Sequence, residues 1–125
     1  MPTILVVEDD PTVQALCRAA LSRVGFDAII RSNGREGLET YMEKHAEIAL
    51  ILSDITMPLM NGIEMIRNIF SEHSHVNVIM MSGHGVSHLI PADLNRICAV
   101  LLKPFTHAQL VQTVNKCLKP CDRLL

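Results

Sequence analysis

The chain has 125 residues, the length of one ordinary domain that buries a core of its own. Hydrophobic residues make up 49% of it and charged residues 19%, which excludes an intrinsically disordered chain. Lysine and arginine number 11 against 13 acidic residues, and aromatic residues are only 3%. We therefore expect neither a basic DNA-binding surface nor an aromatic platform for stacking bases, and no direct nucleic-acid partner.

The hydropathy pattern contains no segment of membrane-spanning length. The longest uncharged apolar run is Ile97–Leu102, six residues, and the start of the chain lacks the apolar stretch of a signal peptide. The four cysteines include no CxxC pair, and Cys17 and Cys98 lie within apolar patterns. We expect these two thiols to be buried and reduced, in a cytoplasmic protein with no membrane partner.

Five short apolar runs recur along the chain and predict five strands. They are Ile4–Val7, Asp27–Ile30, Ile48–Leu52, Val76–Met81 and Cys98–Leu102. Each run is nearly continuous rather than alternating, which is typical of strands buried on both faces of a parallel sheet.

Amphipathic segments separate these runs and predict helices. An apolar stripe extends from Val13 to Val24, with Asp10 expected as the helix cap and Pro11 in the first turn. Two pairs resemble the capping boxes of the second and third helices: Asn33 with Glu36 and Asn61 with Glu64.

The fourth helix is the weakest in the pattern. Pro91 would break it unless it stands in the first turn, so we expect a short or kinked helix, or one that begins near Pro91. A clear stripe over residues 110–118 predicts the fifth helix. The alternating order of strands and helices predicts an open α/β sandwich with its ligand crevice at the carboxyl ends of the strands.

Polar side chains follow four of the predicted strands where those strands end. The first strand leads into Glu8 and Asp9, the third into Asp54, the fourth into Ser82 and the fifth into Lys103. Taken singly, each has an ordinary interpretation as a loop acid, a turn residue or a surface charge. Because parallel strands end at one edge of the sheet, we expect all five to share one crevice.

The three carboxylates of this crevice predict a cation site. Two like charges about 4 Å apart repel by roughly 4 kcal/mol at an effective dielectric constant of about 20. An all-oxygen site of this kind suits Mg²⁺, which keeps several waters and binds phosphate readily. With an ammonium group from Lys103 and a hydroxyl from Ser82, the set is suited to phosphoryl transfer onto a carboxylate.

Four separated motifs resemble the receiver domains of two-component response regulators, and the resemblance covers essentially the whole chain. They are Ile4–Pro11, Leu52–Gly62, Met80–Gly83 and Leu102–Phe105. The resemblance implies a single receiver domain over residues 1–125. It also implies a flavodoxin-like (βα)5 three-layer sandwich, with a five-stranded parallel sheet in the order 2-1-3-4-5.

The same resemblance implies a phosphoacceptor and a metal site. Asp54 would take a phosphoryl group from the phosphohistidine of a sensor histidine kinase or a histidine phosphotransfer protein. Mg²⁺ would be held by Glu8, Asp9, Asp54 and the backbone carbonyl of Thr56.

It further implies a switch. Ser82 and Lys103 would contact the phosphoryl oxygens and move when the group arrives, and the Lys103–Pro104 peptide bond is expected to be cis. The chain would then act as a signalling switch for a downstream protein or an effector domain. We do not expect it to be an enzyme with an outside substrate.

Three positions are expected to modulate this behaviour. Thr56 lies two residues past Asp54, and His84 lies two residues past Ser82. In the family, the residues at these two positions flank the path of the water that attacks the phosphoryl group. Val100 stands at the position where the family often carries an aromatic switch residue. Because Val100 lacks the bulk of a ring, we expect residues 83–95 to carry the conformational change instead.

Two other functional classes fit the sequence less well. An aspartate-nucleophile phosphohydrolase would need a second acid two residues beyond the nucleophile, where this chain has Thr56. An unphosphorylated, receiver-like interaction domain is free to lose the reactive residues, whereas this chain keeps Asp9, Asp54, Ser82 and Lys103.

Overall fold

The computed structural model describes residues 2–83 and 91–118, which form five strands alternating with five helices. The strands are β1 Thr3–Val7, β2 Asp27–Arg31, β3 Ile48–Asp54, β4 Val78–Ser82 and β5 Ala99–Leu102. The helices are α1 Pro11–Arg23, α2 Gly34–Lys44, α3 Gly62–Phe70, α4 Pro91–Leu94 and α5 His107–Cys117. All strands pair in parallel in the order β2-β1-β3-β4-β5, which confirms the predicted sandwich.

The core consists of two apolar layers, one on each face of the sheet. Along β1, Ile4 and Val6 pack in the layer that includes α1 and α5, whereas Leu5 and Val7 pack in the layer that includes α2 and α3. All four side chains are fully buried. Burial of each such side chain stabilises the fold by about 1.5–3 kcal/mol, which explains the continuous apolar run in the sequence.

The predicted caps open the first three helices. The side chain of Asp10 accepts a hydrogen bond from the N–H of Thr12 at 2.8 Å. Asn33 and Asn61 each accept one at 2.9 Å from the backbone N–H three residues later. A fully reciprocal capping box opens α5 over Thr106–Gln109, a feature that the sequence analysis did not predict.

Within the described residues, helix α4 begins at Pro91 and has four residues, in agreement with the predicted short helix near this proline. It is attached more firmly than its length suggests. The guanidinium of Arg67 on α3 donates two hydrogen bonds to the Asp93 carboxylate, at 2.7 and 3.0 Å, and Leu94 packs against the α2–α3 layer. The connection from 84 to 90 lies outside the described residues.

Strand β4 begins two residues later than predicted, at Val78 instead of Val76. Val76 still packs against the α2–α3 layer from the preceding loop, so its apolar character extended the predicted strand.

The prediction for Cys98 is wrong, whereas Cys17 is buried and free as expected. Cys98 is exposed and forms a disulfide with Cys117, with the two Cα atoms 5.9 Å apart. The reason is tertiary: Cys98 immediately precedes the edge strand β5, and the last turn of α5 packs beside that strand. A sequence separation of 19 residues hides this proximity in the linear pattern.

None of the helices within residues 2–83 and 91–118 combines the length and the apolar character needed to cross a bilayer.

Candidate functional site

The parallel register brings the predicted polar residues to one edge of the sheet. Val7 pairs with Ser53, so Glu8 and Asp54 follow at adjacent strand ends. Ser82 pairs with Leu102 at the end of β4, and the backbone N–H of Lys103 donates to the Ser82 carbonyl at 2.8 Å.

Glu8, Asp9 and Asp54 form the predicted carboxylate cluster. Each offers an oxygen that lies within 4.8 Å of an oxygen from both of the others. Glu8 is completely buried, Asp54 is nearly so, and Asp9 is exposed. An all-oxygen set with an open side fits Mg²⁺, because this ion takes one or two carboxylates and keeps part of its water shell.

Lys103 supplies the positive charge of the site. Its Nζ atom donates a hydrogen bond to Glu8 Oε1 at 2.7 Å and lies 3.4 Å from Asp54 Oδ2. The other Glu8 oxygen, Oε2, accepts from the backbone N–H of Asp10 at 3.0 Å. Both Glu8 oxygens are thus engaged by protein donors. The Lys103–Pro104 peptide bond that follows is cis.

Burial and charge act against each other in this group. Burial raises the pKa of Glu8 and the pKa of Asp54 above their ordinary values, although Lys103 pulls both in the opposite direction. Burial also lowers the pKa of Lys103, but its hydrogen bond to Glu8 and the charges of both carboxylates outweigh that effect and raise it. The ammonium group therefore stays charged, and a bound cation would favour ionised carboxylates.

The backbone around Asp54 holds its carboxylate in place. Asp54 Oδ1 accepts from the N–H of Ile55 at 2.9 Å, and the hydroxyl of Ser53 donates to the Asp54 carbonyl at 2.9 Å. Gly62 opens α3 directly against this carbonyl, because a Cβ atom at position 62 would lie 2.2 Å from it. The sequence analysis did not predict this positioning role of Gly62. The Asn61-Gly62 pair after the Asp54 loop is the sequence feature that could have indicated it.

The remaining predicted residues have different positions. Ser82 is buried at the end of β4, and Thr56 is exposed two residues beyond Asp54. Val100 pairs with Met80 in β5 and is half-buried. The predicted modulator His84 lies outside the described residues.

Comparison with known proteins places this architecture in a family. Residues 4–115 match the model of the response regulator receiver domain. The response regulator receiver protein CpdR of Brucella abortus is 32% identical over 119 residues, covering 94% of this chain and 98% of CpdR. The sensor kinase CckA of the same organism is 32% identical over 123 residues. That match covers 96% of this chain but only 13% of CckA, and the chain similarly spans 26% of the regulatory protein LuxO of Vibrio vulnificus.

Solved structures agree with this comparison. The CheX–CheY–BeF3–Mg²⁺ complex from Borrelia burgdorferi matches with a TM-score of 0.82 and 30% identity, covering 90% of this chain and 86% of that one. The fold, the family match over most of the chain and the acidic crevice at the strand ends all agree. The chain belongs to the receiver domains of two-component response regulators.

Proposed function

We propose that Asp54 is the phosphoacceptor of this receiver domain and that its phosphorylation depends on Mg²⁺. The observation that carries the proposal is the position of the Asp54 carboxylate. It lies 3.4 Å from the Lys103 ammonium group and within one cluster with the carboxylates of Glu8 and Asp9.

The chemistry is a displacement at phosphorus. A carboxylate oxygen of Asp54 attacks the phosphoryl group of a phosphohistidine, the phosphorus–nitrogen bond breaks, and the imidazole leaves with the electron pair. Lys103 balances the charge of the phosphoryl oxygens, and the hydroxyl of Ser82 donates a hydrogen bond to one of them. The N–H of Ile55 fixes the orientation of the Asp54 carboxylate through its hydrogen bond to Oδ1.

Asp9, Asp54 and the backbone carbonyl of Thr56 would hold Mg²⁺, with Glu8 as the buried acid behind them. When bound, the ion supplies positive charge to the phosphoryl oxygens. Asp9 is the exposed member of the cluster, so its carboxylate can bind an ion that keeps part of its water shell.

Two exposed or half-buried positions modulate the switch in this proposal. Thr56, at the mouth of the site, affects how fast water removes the phosphoryl group, together with His84. Val100 stands where the family often carries an aromatic switch residue, so we place the conformational change in the segment from 83 to 95 instead. Within this segment, α4 is attached to α3 by the ion pair between Arg67 and Asp93.

The proposed partners follow from the family. The phosphoryl donor is a sensor histidine kinase or a histidine phosphotransfer protein, and the output is a downstream protein or an effector domain.

In this proposal residues 1–125 form a single receiver domain in the cytoplasm. The domain catalyses only its own phosphorylation and slow dephosphorylation. The CheX–CheY complex supports control through protein binding, because CheY in that complex is a similar receiver bound to another protein.

The decisive experiment is phosphorylation with acetyl phosphate and Mg²⁺, followed by intact mass spectrometry. The wild-type chain should gain one phosphoryl group, and Asp54→Asn should gain none. Asp10→Asn is the matched control, because Asp10 lies beside the site but its side chain caps α1. Undiminished labelling of Asp54→Asn would assign the phosphoacceptor elsewhere. A wild-type chain that is never labelled would favour the unphosphorylated interaction domain.

A further inference from the structure

The disulfide between Cys98 and Cys117 lies apart from the carboxylate site. Cys98 immediately precedes β5, and Cys117 is the last residue of α5. The carboxylate cluster, in contrast, follows the carboxyl ends of β1 and β3. The bond therefore joins the start of the edge strand to the end of the helix that packs against it.

The two sulfur-bearing residues differ in their access to solvent. Cys98 is exposed, whereas Cys117 is only 5% exposed and packs in the α1–α5 layer beside Val114 and Leu118. Thiol–disulfide exchange requires a thiolate to approach the sulfur that it attacks, so the rate depends on access. Among the described residues, Cys98 is therefore the more accessible side of the bond for an external thiol.

We propose that Cys98 and Cys117 form a reversible redox pair that fastens the end of α5 to β5, with Cys98 as the sulfur that exchanges with external thiols. The Cα separation of 5.9 Å in the closed pair lies in the range that disulfides require. In the cytoplasm proposed above, such a bond is transient and responds to the redox state of the compartment. The pairing chemistry itself is independent of phosphorylation at Asp54.

The proposed partner is a small thiol of the glutathione class. In the reducing direction its thiolate attacks Cys98 Sγ, the disulfide bond breaks, and Cys117 Sγ leaves with the electron pair and takes a proton. A second thiolate attacks the outer sulfur of the mixed disulfide and releases Cys98 as a thiol. Two electrons pass to the protein, and two molecules of the small thiol become its disulfide. Oxidation by that disulfide is the exact reverse.

The structural consequence falls on α5. Without the disulfide, the last turn of this helix is attached by apolar packing and by hydrogen bonds such as that from the N–H of Leu118 to the carbonyl of Val114. With the bond closed, the helix end cannot leave β5, because a crosslink limits the open states that the chain can reach. Oxidation should therefore protect the end of α5 selectively.

The first test equilibrates the whole chain with mixtures of reduced and oxidised glutathione, quenches with acid, alkylates free thiols and maps peptides by mass spectrometry. The wild-type chain should interconvert between a form with a Cys98–Cys117 disulfide and a form with two more alkylated thiols. Cys17→Ser is the matched control, because Cys17 is buried and burial raises the pKa of its thiol to about 12. Cys121→Ser removes the remaining cysteine of the sequence, and both variants should behave as wild type.

Single-cysteine variants identify the attacked sulfur. Cys117→Ala should trap glutathione on Cys98. In Cys98→Ser, the buried Cys117 should react with glutathione at least about tenfold more slowly than Cys98 does in Cys117→Ala. Equal rates at the two sulfurs, or no Cys98–Cys117 disulfide at any glutathione ratio, would refute the proposal.

Amide hydrogen exchange of the two wild-type forms tests the fastening without any substitution. Residues 114–118 should exchange about tenfold more slowly, or slower still, in the oxidised form, while β1 exchanges equally in both. Equal exchange of residues 114–118 would show that the bond does not hold the helix end.

Discussion

Strands β1 and β5 are separated by two other strands of the same sheet, and solvent reaches them to very different degrees. From Ile4 to Val7, β1 is completely buried. In β5 only Leu101 is buried, and Leu102 is 59% exposed. The centre of the sheet is therefore held by apolar packing on both faces, whereas the β5 edge has much less of it.

Specific pairs of side chains compensate at the edge. Arg67 on α3 holds Asp93 on α4, and the Cys98–Cys117 disulfide holds α5 to the start of β5. The acidic site belongs to the central region, because Glu8 and Asp54 extend the buried strands β1 and β3. The carboxylate cluster thus lies beside the most deeply buried strands, whereas the β5 edge is attached by a few specific contacts.

The largest expected effect compares Leu52 in the central strand β3 with Leu102 at the end of the edge strand β5. Leu52→Ala in β3 should lower the free energy of unfolding by about 3–4 kcal/mol, because the side chain is fully buried and its removal leaves a cavity. Leu102→Ala in β5 should change it by less than about 0.5 kcal/mol, because that side chain already faces solvent. Urea denaturation measures both, and equal losses would contradict the comparison.

The next effect concerns the ion pair that crosses the site. Lys103→Met should destabilise the protein by about 3 kcal/mol at neutral pH, because it leaves the fully buried carboxylate of Glu8 without its cationic partner. Combining it with Glu8→Gln should recover most of this loss, since no buried charge then remains unpaired. Urea denaturation of the two single variants and the double variant measures the coupling. A double variant as unstable as the sum of the two would show that the pair does not act as a unit.

Binding of Mg²⁺ to the carboxylate cluster should stabilise the folded protein through the central strands β1 and β3. At a free Mg²⁺ concentration about 100-fold above the dissociation constant, the free energy of unfolding should rise by about 2.7 kcal/mol. Asp9→Asn should remove this gain, whereas Asp10→Asn should retain it, because the Asp10 side chain caps α1. Thermal unfolding with and without EDTA measures the effect, and an undiminished gain in Asp9→Asn would reject Asp9 as a ligand.

The smallest effect lies at the α4 attachment. Arg67→Met should leave global stability nearly unchanged, because the guanidinium is exposed, but it should free Asp93 and loosen the four-residue helix. Amide exchange should accelerate within residues 91–97 and remain constant in β1. Acceleration that spreads through the sheet would mean that α4 and the centre open together.

The sequence predicted the strands and helices of both regions, but it did not predict the contacts that attach the β5 edge, and the reason is physical. Buried strands such as β1 and β3 need apolar side chains on both faces, so their positions are visible as continuous runs. The carboxylate cluster was predictable because parallel strands end at one edge, which brings Asp54 beside Glu8.

The edge contacts were not predictable in this way. Arg67 and Asp93 are 26 residues apart, and Cys98 has the apolar neighbours of an ordinary buried thiol. Each pairing depends on how a helix packs against its neighbour. The hydrophobic periodicity of the sequence indicates which face of an element is buried, but not which residue that face contacts. Gly62 is similar, because its close approach to the Asp54 carbonyl is visible only once the loop between them is closed.

The disulfide and helix α4 pack on opposite faces of the sheet, because Cys117 lies in the α1–α5 layer and Leu94 in the α2–α3 layer. The two attachments still meet within a few residues. The N–H of Ile97 donates a hydrogen bond to the Leu94 carbonyl at 3.3 Å, and Cys98 follows Ile97 directly. Groups that share neighbours in this way do not contribute additively to a free energy. Opening or closing the Cys98–Cys117 bond would therefore change the free energy of displacing α4, and a displacement of α4 would change the equilibrium of the bond by the same amount.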